Sequence, residues 1–137
     1  MSTYKITGGF GLKGEVTPIA NKNAILPIIV ACTLVNKPIT LRNVPKSSSV
    51  RIMLEIFKKL GGKVTYLKGD AIRLNGDSIN SYSIDKELAK QERASLMFLA
   101  PLLVKFGRSE VEDSGGCKLG NRPVDTLFQG LMELGAE

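Results

Sequence analysis

The chain contains no histidine and no tryptophan, and only two cysteines, Cys32 and Cys117, in 137 residues. Two cysteines so far apart, without histidine, do not have the spacing of a zinc site, so no metal is expected. A Cys32–Cys117 disulfide stays open on these grounds, although nothing else points to a secreted scaffold. Aromatic residues are scarce too, with three Tyr and five Phe. Lysine and arginine do not cluster into a run, and no aromatic residues alternate with them, which argues against a nucleic-acid surface. The longest apolar stretch, AILPIIVACTLV at 24–35, is too short to span a bilayer and carries Pro27. The long glycine-bearing segment before it is unlike the charged start of a signal peptide, so the expected location is the cytoplasm, with no membrane partner.

What is present is a globular composition, 43% hydrophobic and 23% charged, with a net charge of +6. That length and composition suit one domain with a real core. The positive balance fits either simple solubility or a small anionic partner carrying phosphate or carboxylate.

Along the chain, TYKIT (3–7) and EVTPI (15–19) read as short strands joined by GGFGLKG. Gly9, Gly11 and Gly14 spell G-x-G-x-x-G. An extended segment follows them instead of a helix, and no suitably placed acid comes after, so a dinucleotide site is not expected. Asn21 is a candidate N-cap for a helix through NAILPIIVACTLV whose apolar residues surround every face, with Pro27 near its first turn. ITLRNV (39–44) reads as a strand. Val50, Met53, Leu54, Phe57 and Leu60 mark an amphipathic helix stopped by Gly61, and KVTYLKGDAIRLNG (63–76) reads as a hairpin turned near Gly69 and Asp70. The pattern then recurs 74 residues on. Val124, Leu127, Phe128, Leu131, Leu134 and Gly135 repeat the helix, and LAPLLV repeats ILPIIV with Pro101 at the place of Pro27. The second copy of the helix is expected to begin near Pro123. The hairpin that closes the first copy has no counterpart before Glu137, so a longer parent protein is expected.

Four places have the residues for chemistry. Cys117 lies in DSGGCKLGNRPVD (113–125), with Lys118 and Arg122 nearby and a helix expected after it. Neighbouring cations and a helix N-terminus lower a thiol pKa and favour the reactive thiolate. Gly115, Gly116 and Gly120 let such a loop approach a ligand, although an incidental cysteine in a turn has the same signature. Lys22 and Asn23 belong to the first turn of the apolar helix, where a cation and free N–H groups can meet an anion, or where the pair is simply a cap and a solvated lysine. Arg93 opens the helix RASLMFLAPLLV at the end that the macrodipole disfavours for a cation, a mild hint of an anionic partner. Cys32, inside an apolar helix, reads as an inert core thiol.

Taken together, GLKGEVTPIANKNAILPI, NVPKSSSV, LEIFKKLGGKV, ERASLMFLAPLLVKFG and GGCKLGNRPVDTLFQGLMELGA resemble the N-terminal part of the UDP-N-acetylglucosamine 1-carboxyvinyltransferases, a family of enolpyruvyl transferases. The resemblance implies an α/β fold, an inside-out α/β barrel built from βαβαββ repeats and incomplete here. It implies that residues 1–21 are strands of a domain completed by a missing C-terminal part, and that 22–137 are a partial catalytic domain. It also implies transfer of enolpyruvyl from phosphoenolpyruvate to the 3′-hydroxyl of UDP-N-acetylglucosamine, without a cofactor. Lys22, Arg93 and Arg122 would then bind the phosphate and carboxylate charges, Asn23 would hold the sugar, and Cys117 would act as general acid and take covalent inhibitors such as fosfomycin. Arg122, Pro123, Val124, Asp125 and Leu127 would line the uridine side. The chain departs from the pattern at Asn21-Lys22-Asn23, where a small residue usually precedes Lys-Asn, and at Met97, where an aromatic is common. An aspartate and a further arginine would have to come from the missing part, so the chain alone is expected not to turn over. The sister enolpyruvylshikimate-phosphate synthases carry Lys-Ser and lack the loop cysteine, so Asn23 and Cys117 speak against them. A non-catalytic anion-binding scaffold of the same fold is the third reading, separable by thiol reactivity.

Overall fold

The computed structural model describes residues 3–111 and 123–137. Helix α1 (Lys22–Ala31) starts at Asn21, whose side-chain oxygen accepts the N–H of Asn23 at 2.8 Å. This satisfies one of the four donors that any helix start leaves without a partner. A 3₁₀ turn, Cys32–Leu34, leads to strand β1 (Ile39–Leu41). Helix α2 (Ser48–Lys59) is capped by Ser47, which accepts from Val50 N–H, and it ends at Leu60 before Gly61 in the left-handed region (φ 103°). Glycine adopts that conformation without a Cβ clash, so the expected stop is also the physical one. Strands β2 (Lys63–Tyr66) and β3 (Ile72–Asn75) form the hairpin, with Gly69 at φ 67° in its turn.

The sheet runs β1-β3-β2, antiparallel throughout, with Ile39 opposite Leu74 and Val64 opposite Leu74 on the other side. Ile72 and Leu74 point to the helices and are buried, while Arg73 between them is exposed, as the period of two requires. Against this face lie Ile29, Met53, Ile56, Phe57 and Leu60, all essentially sealed from solvent. Strand β4 (Ser83–Ile84), the short helix α3 (Lys86–Ala89), a 3₁₀ helix (Arg93–Phe98), helix α4 (Leu99–Phe106) and strand β5 (Glu110–Val111) follow. β4 and β5 pair in parallel, Ser83 with Glu110 and Ile84 with Val111. Helix α5 (Asp125–Glu133) closes the described chain. Lys105 on α4 donates to the carbonyls of Thr33 (3.3 Å) and Gly76 (3.0 Å), tying the second repeat to the first.

Several expectations from sequence are corrected. Residues 3–7 and 15–19 are not strands here: no regular structure forms among the described residues before α1, and Tyr4, Ile6, Phe10, Leu12, Val16 and Ile19 are 78–100% exposed. A two-stranded ribbon has no core of its own, and no sheet edge covers these side chains among the described residues. The strand at 39–44 is shorter, because Asn43 takes a left-handed φ of 56° that ends the ladder. The helix at 93–104 is 3₁₀ up to Phe98 and α-helical only from Leu99. Pro101 offers no N–H to the carbonyl four residues back, and its ring crowds that carbonyl, which favours the tighter winding before it. Pro27 sits in the second turn of α1, not the first, and α1 is not buried on every side, with Ile28 43% exposed. α5 begins at Asp125, two residues after Pro123, near which its start was expected.

The exposed leading segment has a direct consequence. Removing residues 1–19 should leave the stability of the remainder within about 0.5 kcal/mol of the whole chain, as for surface changes that touch no buried feature. Urea unfolding of the two forms followed by circular dichroism measures this.

Candidate active site

An open pocket of about 560 Å³ is lined by residues from three separate stretches: Lys22, Asn23 and Leu26; Glu92, Arg93, Ala94, Leu96 and Met97; and Pro123, Val124, Thr126 and Leu127. Helix geometry explains the first group. Positions 22, 23 and 26 share one side of α1 at spacings of three and four. Pro27 leaves the carbonyl of Asn23 without its usual partner, so both the amide side chain and a main-chain acceptor are present at this corner. The first turn of α1 contains no acidic residue, so the positive end of its dipole is not neutralised from within the helix. Lys22 and Arg93 add two cations, and Glu92 is the one acid among the lining residues.

Arg93 occupies the first position of the 3₁₀ helix and is half-buried. Its Nη2 donates to the carbonyl of Pro123 at a long 3.4 Å, bridging to the approach of α5. Behind it, a Glu92 carboxylate oxygen accepts the N–H of Ala94 at 3.2 Å. Leu26, Leu96, Met97, Val124 and Leu127 add apolar surface, with Met97 47% exposed. A pocket with two cations, an amide and an apolar lining suits a ligand that is anionic in one part and has carbon surface in another.

Lys22, Asn23, Arg93, Pro123, Val124 and Leu127, all named from sequence, therefore line one cavity. Asp125 is not among its lining residues; it sits in the first turn of α5, where its charge complements the helix dipole. Cys117 and Arg122 lie outside the described residues. Leu26, Glu92, Ala94, Leu96 and Thr126 were not named from sequence. Leu26 could have been found from its i+4 relation to Lys22, whereas Glu92 carries no local signal beyond an acid before an arginine. Cys32 is buried at 3% exposure, and burial pushes its thiol above the ordinary value, which makes it a poor nucleophile.

Two other cavities are as large or larger. One, about 590 Å³, lies at the start of α2 beside the exposed Lys46–Asp70 ion pair; the other, about 700 Å³, lies between β4–β5 and Phe128. Neither is lined by any of the residues singled out from sequence for chemistry, so size alone does not locate the site.

A family model described as EPSP synthase (3-phosphoshikimate 1-carboxyvinyltransferase) matches residues 6–137. The chain belongs to this family. Among curated relatives, UDP-N-acetylglucosamine 1-carboxyvinyltransferase 1 of Carboxydothermus hydrogenoformans is 44% identical over all 137 residues. The enzymes of the same name from Finegoldia magna and Coxiella burnetii are 39% and 38% identical over the same length. The chain spans 32% of the length of each of these relatives. The enolpyruvyl transferase NikO from Streptomyces tendae superposes with a TM-score of 0.59 over 63% of this chain and 20% of its own, at 18% identity. That likeness places the described elements as part of the enolpyruvyl transferase fold. No helix among the described residues is long and apolar enough to cross a membrane.

Proposed function

We propose that the chain forms part of the active site of a UDP-N-acetylglucosamine 1-carboxyvinyltransferase, which transfers enolpyruvyl from phosphoenolpyruvate to the 3′-hydroxyl of UDP-N-acetylglucosamine and releases phosphate. This is the first committed step of peptidoglycan synthesis, a cytoplasmic reaction tied to cell shape and division. The observation that carries the reading is the meeting of Lys22, Asn23, Arg93, Val124 and Leu127 in one pocket, from positions a hundred residues apart. The names of the relatives at 38–44% identity support the nucleotide sugar over shikimate phosphate as acceptor.

In this reading the sugar oxygen bonds to C2 of phosphoenolpyruvate while C3 takes a proton, which gives a tetrahedral adduct. Loss of phosphate and of a C3 proton restores the double bond. Lys22, Arg93 and Arg122 stabilise the phosphate and carboxylate charges through the adduct, where fixed cations in a partly dry site act most strongly. Asn23 orients the sugar. Cys117 supplies the C3 proton as general acid and is the point of attack for fosfomycin. Pro123, Val124, Asp125 and Leu127 border the uridine. No metal or cofactor takes part, and neither nucleic acid nor membrane is a partner.

Residues 22–137 would be one full repeat and part of a second, with residues 1–21 serving a second domain. That domain would supply the base for the sugar hydroxyl and a further arginine, so the chain alone would bind substrates without turnover.

Thiol labelling tests the reading. Cys117 should react with an alkylating agent at least about tenfold faster than Cys32, as expected for an activated against a buried thiol. Phosphoenolpyruvate or UDP-N-acetylglucosamine should change the Cys117 rate and leave that of Cys32 alone. Equal, slow labelling of both, indifferent to ligand, would favour the non-catalytic scaffold.

A further inference from the structure

We propose that Glu92 is a positioning residue of the site, holding Arg93 in the direction that meets an anion; this rests on the reading of the pocket as an anion site. The 3₁₀ helix that begins at Arg93 has six residues, and such helices have poor hydrogen-bond geometry and little stability of their own. Its start is held at Glu92 by two contacts. The carboxylate accepts the N–H of Ala94 at 3.2 Å, and the Glu92 main-chain carbonyl accepts the N–H of Ser95 at 3.0 Å. Arg93 lies between Glu92 and Ala94, so its Cα direction is set by that closed turn. Its far end reaches the carbonyl of Pro123. Among the described residues Arg93 makes no ion pair, so the turn closed by Glu92 sets where the side chain leaves the backbone and the Pro123 carbonyl is what its guanidinium meets ahead.

Glutamate is an unusual choice at this position. Asn, Asp, Ser and Thr cap helix starts better, and a longer side chain loses more rotamer freedom. As a charge, Glu92 also opposes an anion in the pocket it shares with Lys22 and Arg93. Capping and charge therefore act in opposite directions on anion affinity, which lets two substitutions separate them. Glu92→Gln removes the charge and keeps an oxygen acceptor; Glu92→Ala removes both.

The test uses the ¹⁵N-labelled 137-residue chain, with the Arg93 Nε–Hε signal identified by its loss in Arg93→Lys and phosphoenolpyruvate as the probe. In the unsubstituted chain and in Glu92→Gln, the heteronuclear NOE of that signal should show an ordered side chain. In Glu92→Ala it should fall to the value of Arg51, an exposed residue whose side chain makes no hydrogen bond or ion pair among the described residues. Affinity for phosphoenolpyruvate should drop about five- to tenfold in Glu92→Ala, within the range that cap loss allows. In Glu92→Gln it should hold or tighten by up to about threefold, as removing a like charge predicts. If Glu92→Ala tightens binding as Glu92→Gln does, Glu92 acts by charge alone and the proposal is wrong; an unchanged Arg93 NOE in Glu92→Ala overturns it as well. Absence of phosphoenolpyruvate binding to the unsubstituted chain would instead remove the anion-site reading, and the Arg93 NOE would still decide whether Glu92 positions that side chain.

Discussion

Phe57→Ala should destabilise the chain by about 3–5 kcal/mol, as expected for truncating a buried phenylalanine. The chain as a whole has only about 5–15 kcal/mol to lose. Phe57 is fully buried, at the centre of the cluster formed by α1, α2 and the hairpin. Its ring lies so close to Gly62 that a Cβ there would collide with it, so the backbone leaving α2 is fitted to this side chain and cannot easily collapse into the hole. The one phenylalanine in the second copy of this helix gives an internal control. Phe128 stands 74 residues after Leu54, which is 3% exposed, yet Phe128 is 42% exposed. Phe128→Ala should therefore cost less than about 1 kcal/mol, because the side chain leaves little apolar surface to water that was not already there. Urea denaturation of both variants measures the difference. Similar losses at the two positions would mean that the second repeat is covered in solution in a way the structure does not show.

The second large effect belongs to the pocket. Lys22→Met and Arg93→Gln should each weaken phosphoenolpyruvate binding by about 10- to 100-fold, since a hydrogen bond to a charged group contributes about 1.5–3 kcal/mol and 1.4 kcal/mol is a factor of ten. Neither change should shift the unfolding midpoint by much, as Lys22 is exposed and Arg93 makes a single long contact to a carbonyl. The two losses should not add, because both cations act on one ligand. Loss of binding together with a large loss of stability would point to a structural role for these side chains.

The parts of the fold that were legible in the sequence are those set by local physics. The 3.6-residue spacing from Val50 to Leu60 and the stop at Gly61 specify α2 within one helix length. The hairpin follows from Gly69 between two alternating segments. The parts not legible depend on distant partners. Tyr4 and Ile6 alternate as a strand should, but a strand forms only beside an edge, and no edge lies beside this segment among the described residues. The repeat assigned α5 the same apolar positions as α2, although burial of those positions depends on what packs over them, and Leu134 is 87% exposed where Leu60 is 1%. At the site, Lys22, Asn23 and Arg93 stood out as polar residues at the starts of apolar helices. Glu92 did not, because capping by glutamate becomes visible only once the turn it closes has coordinates.

The proposed function depends on the starts of α1, the 3₁₀ helix and α5 forming one ligand site. It is tested most directly by titrating the ¹⁵N-labelled chain with phosphoenolpyruvate and following the amides of Asn23, Ala94 and Thr126. All three should shift together with a single dissociation constant, and Lys22→Met should weaken the response at all three. Shifts confined to one of these places, or three unrelated binding curves, would contradict it.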